Sequence, residues 1–306
     1  MSSETNSFKV GFISLVGRPN VGKSTLINAV MDQKIAAVSP RPQTTRRRQL
    51  GIISAETYQI VFIDTPGIHK PHHKLGEYMN EVAAATFADA DVLLWLVDAS
   101  QPPDAEDSLV AERLSSTAHM PRVLLLLNKV DLVKSEDQPS RQAEYLALLP
   151  SAQPFWISAA SKNARQKILE MVLPLLPVGA PFYDADQVTD LYERDIAADL
   201  VRESALVLLR DEIPHSIAIR IDDYIEQGET NAHINATIMV ERESHKGIVI
   251  GKGGEMIKKI GTTARMEIEK MSGRKVFLEL RVKVNKNWRN DPDSLRLLGY
   301  AIEKDE

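Results

Sequence analysis

The sequence predicts two domains: an α/β domain with a mostly parallel sheet and helices on both faces, followed by a smaller α+β domain. Apolar strands and amphipathic helices alternate up to residue 175, where a segment rich in proline and glycine interrupts them. Beyond it the order becomes a helix, two strands, a helical stretch broken by glycines, and a last strand. With 306 residues, 43% of them hydrophobic, the chain can form two cores.

Hydrophobic periodicity predicts each element of the first domain. Strands are predicted over residues 8–16, 49–53, 58–63, 92–97, 122–127 and 155–157. Helices are predicted from Lys23, over 75–88, near 104–116, near 138–148 and over 162–175. Because parallel strands need crossover connections, this alternation predicts a sheet with helices packed on both faces.

The second domain is predicted to contain a helix over 196–210 and strands over 216–225, 232–241 and 276–284, with the glycine-interrupted helical stretch before the last strand. Proline and glycine disfavour continuation of a helix, so the linker is placed at about 177–186. The predicted domains are therefore residues 1–180 and 187–306.

Charge is distributed unevenly along the chain. The formal net charge is −5, but residues 240–286 contain 12 lysines and arginines against 6 acidic residues, a local charge of +6. Residues 184–229, by contrast, contain 13 acidic residues and 4 arginines. This asymmetry predicts that only the C-terminal part binds a polyanion.

Cysteine usage and hydropathy exclude several classes of protein. The chain has no cysteine, which excludes disulfides and cysteine-ligated zinc. The N-terminal residues lack a basic segment followed by an apolar run, and no stretch approaches the roughly 20 apolar residues that span a bilayer. We expect a soluble, cytoplasmic protein, with peripheral contact to the inner face of the cell membrane as an open alternative.

Residues 17–24 fit the phosphate-loop pattern GxxxxGK[ST] directly between a predicted strand and a predicted helix. Glycines let backbone N–H groups curl around phosphate oxygens, and the helix N-terminus favours the anion. Lys23 is expected to reach the β- and γ-phosphates, and Ser24 to bind Mg²⁺. The nucleotide-binding residues predicted here are Gly17, Arg18, Pro19, Asn20, Val21, Gly22, Lys23, Ser24 and Thr25.

The motif Asp64-Thr65-Pro66-Gly67 follows another predicted strand. Its carboxylate is expected to hold Mg²⁺ through water and its glycine N–H to approach the γ-phosphate, and Ile68 is included in the predicted site. A threonine in the loop of residues 39–48 would join the Mg²⁺ ligands when the γ-phosphate is present. We predict Thr45 rather than Thr44 for this role, so the predicted Mg²⁺ set is Ser24, Thr45 and Asp64.

Asn128-Lys129-Val130-Asp131 follows a third strand and selects the base. An aspartate carboxylate accepts hydrogen bonds from two N–H donors that guanine has and adenine lacks. Because adenine would leave these buried polar groups unpaired, the site is expected to discriminate against adenine nucleotides by a factor of about 10⁴ or more. Ser158 and Ala159, after a fourth strand, are expected to contact the base carbonyl through the backbone. All these elements lie at the carboxyl ends of strands, where open α/β sheets bind ligands.

Two groups of side chains near these motifs have competing interpretations. The arginines at 41 and 46–48 would contact RNA or the other domain, or form a solvated run of charge, and the sequence favours neither. His69, His72 and His73 follow the DTPG motif without a matching carboxylate or cysteine spacing, which favours a mobile loop over a metal site.

Residues 240–261 carry the signature of a KH domain, with a GxxG loop at 251–254 between two helical segments. Such a loop approaches a nucleic-acid backbone closely, and KH domains use it to clamp four nucleotides. Flanking lysines would add salt-dependent attraction to phosphates. The predicted RNA-binding residues are Lys246, Gly247, Gly251, Lys252, Gly253, Gly254, Lys258 and Lys259. A helix ahead of the two strands is typical of the prokaryotic type of KH domain.

On these motifs, residues 8–180 resemble the GTPases of the Era and TrmE group, whose phosphate loop likewise reads GxPNxGKS, and the whole chain resembles the Era family. The resemblance implies hydrolysis of GTP to GDP with Mg²⁺, with Asn20 as a ligand of K⁺. It also implies binding near the 3′ end of 16S ribosomal RNA in assembly of the 30S subunit. We expect a monomer.

Ras-type enzymes carry a water-orienting glutamine after DTPG, where this group has an apolar residue and this chain has Ile68. No side chain is therefore an obvious catalytic base. The family usually has glycines shortly after the Ser-Ala dipeptide, whereas this chain has Ser161-Lys162-Asn163, so Asn163 is expected to supply a left-handed turn.

Three other functions share some of these features. A GTPase acting in RNA modification would need a second catalytic site, for which the sequence offers no candidate. A membrane-associated cell-cycle GTPase would use the basic C-terminal region against anionic lipid. A purely RNA-binding protein would use the nucleotide only to stabilise its fold.

Overall fold

The computed structural model describes residues 7–39, 41, 44–211 and 213–300. The chain divides into two compact units. Among the described residues, the first unit comprises 7–36, 45–71 and 79–190, and the second comprises 37–39, 41, 44, 72–78, 191–211 and 213–300. No helix in these residues is both long and apolar enough to cross a membrane.

A six-stranded sheet of order β2-β3-β1-β4-β5-β6 forms the centre of the first unit. Its strands are β1 Lys9–Val16, β2 Gln49–Ser54, β3 Tyr58–Asp64, β4 Val92–Asp98, β5 Arg122–Asn128 and β6 Gln153–Trp156. The edge strand β2 runs antiparallel to β3, and the other neighbours are parallel. The predicted strands are confirmed with small shifts at their ends.

Helices cover both faces of this sheet, as predicted. They are α1 Lys23–Met31, α2 Lys74–Asp89, α3 Ala105–Ser115, α4 Gln138–Leu148 and α5 Ala164–Val172. Strand β4 shows why two cores form: Leu94 and Leu96 enter one core and Leu93 and Trp95 the other. A strand buried on both faces is continuously apolar, which is what its sequence shows.

The second unit has the element order predicted for the α+β domain, with the three-stranded sheet β7-β8-β9. Its elements are α6 Glu193–Leu208, β7 Ala218–Gln227, β8 Asn231–Val240, α7 Glu243–Ile250, α8 Glu255–Ser272, β9 Lys275–Val284 and α9 Pro292–Leu297. Strand β8 is antiparallel to β7 and parallel to β9. The fold class predicted for the second domain is confirmed.

Helix α9 and the segment before it were not predicted. Asp291 caps the helix by accepting a hydrogen bond from the N–H of Ser294. Trp288 is completely buried, and its indole N–H donates to the carbonyl of Ser216 at 2.9 Å. A buried indole needs such an acceptor, so Trp288 anchors the C-terminal segment to the rest of the unit.

The two units divide after Asp190, shortly beyond the linker predicted at 177–186. Residues before that point bind the exposed edge of β2: the N–H of Ile52 donates to the carbonyl of Val188, and that of Leu50 to the Asp190 carboxylate, both at 2.9 Å. An edge strand offers unpaired backbone groups, and here the connecting segment pairs them.

Part of the predicted switch loop belongs to the second unit. Within that unit Arg41 donates to the carbonyl of Leu209 at 2.7 Å, and Arg202 donates to the carbonyl of Thr44. Pro40, Pro42 and Gln43 lie outside the described residues. Thr45, by contrast, belongs to the first unit, so the division of the chain falls immediately before it.

Candidate nucleotide-binding and RNA-binding sites

The phosphate loop connects β1 to α1, as its motif requires. Gly22 has φ 105°, and a Cβ there would lie 2.4 Å from the side-chain nitrogen of Asn128. At Gly17, φ is 154° and a Cβ would lie 2.3 Å from the carbonyl oxygen of Leu96. Both positions exclude a side chain sterically and conformationally, so the backbone of residues 17–22 can curl tightly at the helix N-terminus.

Lys23 lies at the centre of this loop. Its ammonium donates to the carbonyls of Gly17 at 3.0 Å and Arg18 at 2.9 Å. Burial lowers the pKa of Lys23 to about 8. A phosphate placed beside this ammonium would oppose the effect of burial by favouring the charged form. The predicted phosphate-binding role of Lys23 therefore agrees with its position.

Three side chains with oxygen atoms that could bind a metal ion lie together beside the loop. The Ser24 hydroxyl lies 2.9 Å from the Thr45 hydroxyl and 3.3 Å from the Asp64 carboxylate, and the Thr45 hydroxyl donates to the same carboxylate at 3.0 Å. Hydroxyl and carboxylate oxygens are the ligands that Mg²⁺ prefers, so this donor set fits that ion. The Thr44 hydroxyl donates instead to the carbonyl of Arg41 at 3.1 Å, so the structure brings Thr45 to the cluster.

The DTPG loop is held against the phosphate loop. Thr65 donates its hydroxyl to the carbonyl of Leu15 at 2.6 Å, and a Cβ on Gly67 would lie 2.6 Å from the nitrogen of Pro19. The N–H of Ile68 donates to the carbonyl of Gly17 at 3.2 Å, while its side chain is completely buried in the core. An apolar side chain turned into the core cannot orient water, so Ile68 does not take the place of the glutamine of Ras-type enzymes.

The predicted histidine-rich loop is built by local hydrogen bonds. The His69 ring contacts the carbonyl of Gly67 at 2.8 Å, and Asn80 accepts from the His69 N–H at 3.2 Å and donates to its carbonyl at 2.8 Å. His73 accepts from the N–H of Gly76 at 3.0 Å, at the start of α2. Within the described part of the chain, no group of three histidine, aspartate or glutamate side chains could hold a metal ion.

Asn128 bridges the phosphate loop and the Ser158-Ala159 backbone. Its side-chain N–H₂ donates to the carbonyl of Val21 at 2.7 Å, and its side-chain oxygen accepts from the N–H of Ala159 at 2.8 Å. Both bonds are buried, so this amide joins two loops that the sequence assigned to opposite ends of the nucleotide. The sequence predicts that Asn128 belongs to the site but does not reveal that it joins the two loops.

The remaining residues of the base motif divide their tasks. Lys129 adopts φ 63°, and its ammonium lies 2.5 Å from the Asp98 carboxylate. Burial alone would raise the pKa of Asp98, but hydrogen bonds from Lys129 and Ser100 hold it below its ordinary value. The Asp131 side chain is exposed, so its carboxylate is accessible to two donors of a guanine. Val130 donates its N–H to the carbonyl of Ile157 at 3.1 Å.

Arg18 has ion pairs that the sequence did not predict, and Asn163 differs from its predicted conformation. The Arg18 guanidinium lies 3.1 Å from Asp107 and 3.3 Å from Asp104 at the start of α3, so the side chain is occupied by carboxylates. Asn163 has φ −99°, so the prediction of a left-handed turn there is wrong. Asn163 instead stands at the N-terminus of α5 with its side chain contacting Ser161, which needs no left-handed residue.

The GxxG loop lies between α7 and α8, as predicted. Gly251, Gly253 and Gly254 have φ between 61° and 81°, a region that side chains rarely adopt. Nothing lies within 4 Å of the Cβ position at Gly253 or Gly254, so a nucleic-acid backbone can approach them. The Lys252, Lys258 and Lys259 side chains are exposed and Lys246 is half-buried.

A groove of about 300 Å³ lies between α8 and β9. It is lined by Ile257, Lys258, Gly261, Thr262 and Arg265 of α8 and by Leu278, Glu279 and Leu280 of β9. Strand β9 is an edge of the sheet, so one side of its backbone is not paired with a strand in the described structure. Of these residues, only Lys258 is predicted from the sequence to bind RNA. The helical spacing from 258 to 261, 262 and 265 was a signal that could have revealed Gly261, Thr262 and Arg265.

Two protein families and several relatives are similar to this chain. The family described as 50S ribosome-binding GTPase matches residues 12–129, and the KH domain family matches residues 212–289. GTPase Era of Ruminiclostridium cellulolyticum is 44% identical over 304 residues, covering 97% of this chain and 99% of the relative. GTPase Era of Leuconostoc citreum is 44% identical over 306 residues, covering 97% and 98%.

Two solved structures are similar over nearly the whole chain. A crystal structure of Era in complex with MgGDPNP and nucleotides 1506–1542 of 16S ribosomal RNA has a TM-score of 0.91 and 38% identity. A variant of Aquifex aeolicus Era bound to GDP and AlF₄⁻ has a TM-score of 0.90 and 38% identity. Each comparison covers 96% of this chain and 100% of the other.

Proposed function

The chain belongs to the Era family of GTPases, and on that premise we propose that it is a GTP-hydrolysing switch that binds 16S ribosomal RNA near its 3′ end and assists assembly of the 30S subunit. The GTPase fold and the KH fold occur in one chain in the order predicted from sequence. The observation that carries the proposal is the convergence of residues 17–24, 64–67 and 128–131 at the carboxyl edge of one sheet, in a chain that also carries the GxxG loop.

GTP is the nucleotide that this site favours. The exposed Asp131 carboxylate accepts the two N–H donors of guanine, and the backbone at Ser158 and Ala159, held by Asn128, meets the base carbonyl. Lys23 and the N–H groups of the phosphate loop bind the phosphates. The same contacts accept GDP, so discrimination between the two nucleotides falls to groups that meet only the γ-phosphate, namely Gly67 and the loop bearing Thr45.

Ser24 and Thr45 would hold Mg²⁺ through their hydroxyls and Asp64 through water. When bound, the ion neutralises charge on the β- and γ-phosphate oxygens. Because Ile68 is buried, catalysis by this chain rests on positioning of the phosphates by Lys23 and the loop backbone. Asn20, which is exposed at φ 64°, remains our hypothesis for a K⁺ ligand; equal hydrolysis rates in Na⁺ and K⁺ would contradict it.

The KH domain is proposed to bind single-stranded RNA. The GxxG loop lets the phosphate backbone approach, Lys252, Lys258 and Lys259 attract it, and the groove beside α8 accepts bases. The similar Era structure contains nucleotides 1506–1542 of 16S ribosomal RNA, which supports this target. A ribosomal target implies a cytoplasmic location. That the chain is a monomer remains an expectation.

The experiment is binding of labelled RNA matching the 3′ end of 16S ribosomal RNA, measured with a GTP analogue and with GDP, for the native protein, Gly253→Asp and Gly228→Asp. Gly228 is a matched control because it also has positive φ, 68°, with nothing within 4 Å, but lies in the β7–β8 turn. We expect GTP-favoured binding that Gly253→Asp loses and Gly228→Asp keeps.

Three outcomes would contradict parts of the proposal. Equal RNA affinity with GTP analogue and with GDP would contradict the proposal that the nucleotide controls RNA binding. Linkage requires RNA and nucleotide to change each other's affinity by the same factor. No RNA binding in any state, together with binding to vesicles of anionic lipid, would favour the membrane-associated alternative. Binding of RNA without any hydrolysis of GTP would favour the purely RNA-binding alternative.

A further inference from the structure

The side chain of Arg18, in the phosphate loop, is held by two carboxylates at the start of α3. Its Nε lies 3.1 Å from Asp107 and 3.3 Å from Asp104. The Asp107 side chain is completely buried, whereas that of Asp104 is half-exposed. Arg18 and Asp107 are 89 positions apart in the sequence, so their ion pair ties the phosphate loop to a helix that no nucleotide-binding motif includes.

Helix capping accounts for only part of the position of Asp107. Its carboxylate accepts from the N–H of Asp104 at 3.2 Å, which completes a capping box at the start of α3. An exposed carboxylate would serve that cap equally well, yet Asp107 is buried, and within the described part of the chain its Oδ1 accepts no hydrogen bond. Burial raises the pKa of the Asp107 carboxyl above its ordinary value. Because a buried ion pair often stabilises a fold no better than an apolar pair of similar size, stability alone does not explain the pairing of Asp107 with Arg18.

The backbone of Arg18 contacts the lysine of the phosphate loop. The ammonium of Lys23 donates to the carbonyl of Arg18 at 2.9 Å and to that of Gly17 at 3.0 Å. The Gly17 carbonyl also accepts from the N–H of Ile68 in the DTPG loop at 3.2 Å. A guanidinium held by directional, charge-assisted hydrogen bonds limits the positions open to its own backbone. The position of the Arg18 guanidinium thus bears on the position of the Lys23 ammonium.

We propose that Asp107 is a positioning residue for nucleotide binding and hydrolysis, which fixes the guanidinium of Arg18 and thereby the carbonyl that holds the Lys23 ammonium beside the phosphates. This role rests on the proposed function, since it assumes that Lys23 binds the β- and γ-phosphates. In it Arg18 acts through its backbone carbonyl, and its side chain is the anchor. Helix α3 thereby takes part in phosphate binding.

The test is a double-variant cycle in the full-length protein, with Asp107→Leu, Arg18→Met and the variant that carries both changes. Asp107→Leu leaves a guanidinium without its buried partner, so the urea concentration at the midpoint of unfolding should fall. In the double variant two apolar side chains replace the ion pair, so most of that midpoint should return. Apolar contacts are not directional, so the positioning of Lys23 should not return with it.

The affinities for GDP and for guanosine, measured by competition with a fluorescent nucleotide, separate phosphate positioning from general damage to the site. Guanosine keeps the base contacts but has no phosphate for Lys23 to bind. We expect all three variants to bind GDP about tenfold more weakly, an effect of the order of one charge-assisted hydrogen bond, and guanosine within about twofold of the native affinity. At saturating GTP, kcat should fall by about the same factor as the GDP affinity, because Lys23 also stabilises charge on the transferred phosphate.

Val110→Ala is the matched control for the stability of α3. Val110 is completely buried in the same helix, and its side chain has no polar atom with which to hold Arg18. The cavity should lower the midpoint of unfolding, while the ratio of GDP affinity to guanosine affinity stays native. If Asp107→Leu does not fold, Asp107→Asn replaces it, because the amide keeps an oxygen for the helix cap and removes the charge that holds Arg18.

Recovery of native GDP affinity and native kcat in the double variant, together with its stability, would overturn the proposal, because the ion pair would then be merely structural. A native ratio of GDP affinity to guanosine affinity in Asp107→Leu, or in Asp107→Asn where it replaces that variant, would overturn it as well. The proposed function fails separately, if the native protein hydrolyses no GTP or if Lys23→Ala binds GDP with native affinity.

Discussion

The side-chain amide of Asn128 donates to the carbonyl of Val21 across a distance of 2.7 Å, linking the base motif to the phosphate loop. The side chain is only 2% exposed, and its oxygen accepts from Ala159 at 2.8 Å. One residue at the end of β5 therefore joins two loops that we propose bind opposite ends of one nucleotide. Its contribution is preorganisation of the site rather than contact with the base alone.

Asn128→Ala is expected to lower the free energy of unfolding by about 2 kcal/mol, because it leaves a buried carbonyl and a buried N–H without their partner. Affinities for GTP and GDP should fall together, since both nucleotides use both loops. Urea denaturation and titration with fluorescent GDP measure the two effects. Asn163→Ala, at an exposed site, should change stability by less than about 0.5 kcal/mol. A variant with native stability and native affinity would show that the bridge is dispensable.

Asp131→Asn should weaken GTP binding by about 100-fold or more, because an amide cannot accept both N–H donors of guanine. Xanthine nucleotides, which carry a carbonyl in place of the guanine amino group, should lose far less affinity than guanine nucleotides. The side chain is exposed, so the melting temperature of the nucleotide-free protein should not change. Competition of GTP and of xanthosine triphosphate (XTP) with a fluorescent nucleotide for the protein gives the ratio of the two affinities. An unchanged preference for GTP would contradict the role assigned to Asp131.

Nucleotide affinity is expected to fall as the pH rises above about 8, the pKa to which burial lowers Lys23 in the free protein. The phosphates favour the ammonium, so the pKa is higher in the complex, and binding takes up a proton at pH 8 and above. The nucleotide affinity falls by at most about tenfold per pH unit. Calorimetric titration of GDP between pH 7 and 9, in buffers of different ionisation enthalpy, measures the proton uptake.

The folding linkage of Lys23 has the opposite sign. The unfolded chain binds the proton more tightly, with the ordinary pKa of 10.5, so the contribution of this residue to stability rises between pH 8 and 10.5 and is least below pH 8. Lys23→Arg serves as the control for both effects, because a guanidinium stays charged throughout this range. Its GDP affinity, whatever its level, should lose the pH dependence above 8.

Gly261→Ala should stabilise the protein and weaken RNA binding. Glycine within a helix costs about 0.5–1 kcal/mol relative to alanine, and a Cβ at Gly261 would meet Leu280 at 3.4 Å, an ordinary contact. The added methyl group narrows the groove that β9 and α8 form. Thermal unfolding and RNA titration test the two parts. Thr263→Ala, on an exposed face of the same helix, also raises helix propensity and should leave RNA affinity unchanged.

Much of the site follows from short stretches of sequence, because its chemistry is local. Residues 17–24 are predicted to bind phosphate through backbone N–H groups of consecutive residues, and their glycines are required by the backbone itself, as Gly22 and its φ of 105° illustrate. Continuous apolar runs such as β4 revealed a strand buried on both faces. Helix α9 escaped prediction because it is short and held by Trp288, whose acceptor is 72 residues away.

The sequence by itself determined the two folds, their order, the preference for guanine and the location of the GxxG loop, since each depends on periodicity or on residues adjacent in the chain. Only the tertiary structure decided that Asn128 bridges two loops and that Arg18 turns to Asp107, and it places Thr45, the threonine predicted from sequence, beside Ser24 and Asp64. It also directed Arg202 to the carbonyl of Thr44. These contacts join residues far apart in sequence, whose pairing is set by strand order and packing and leaves no local pattern.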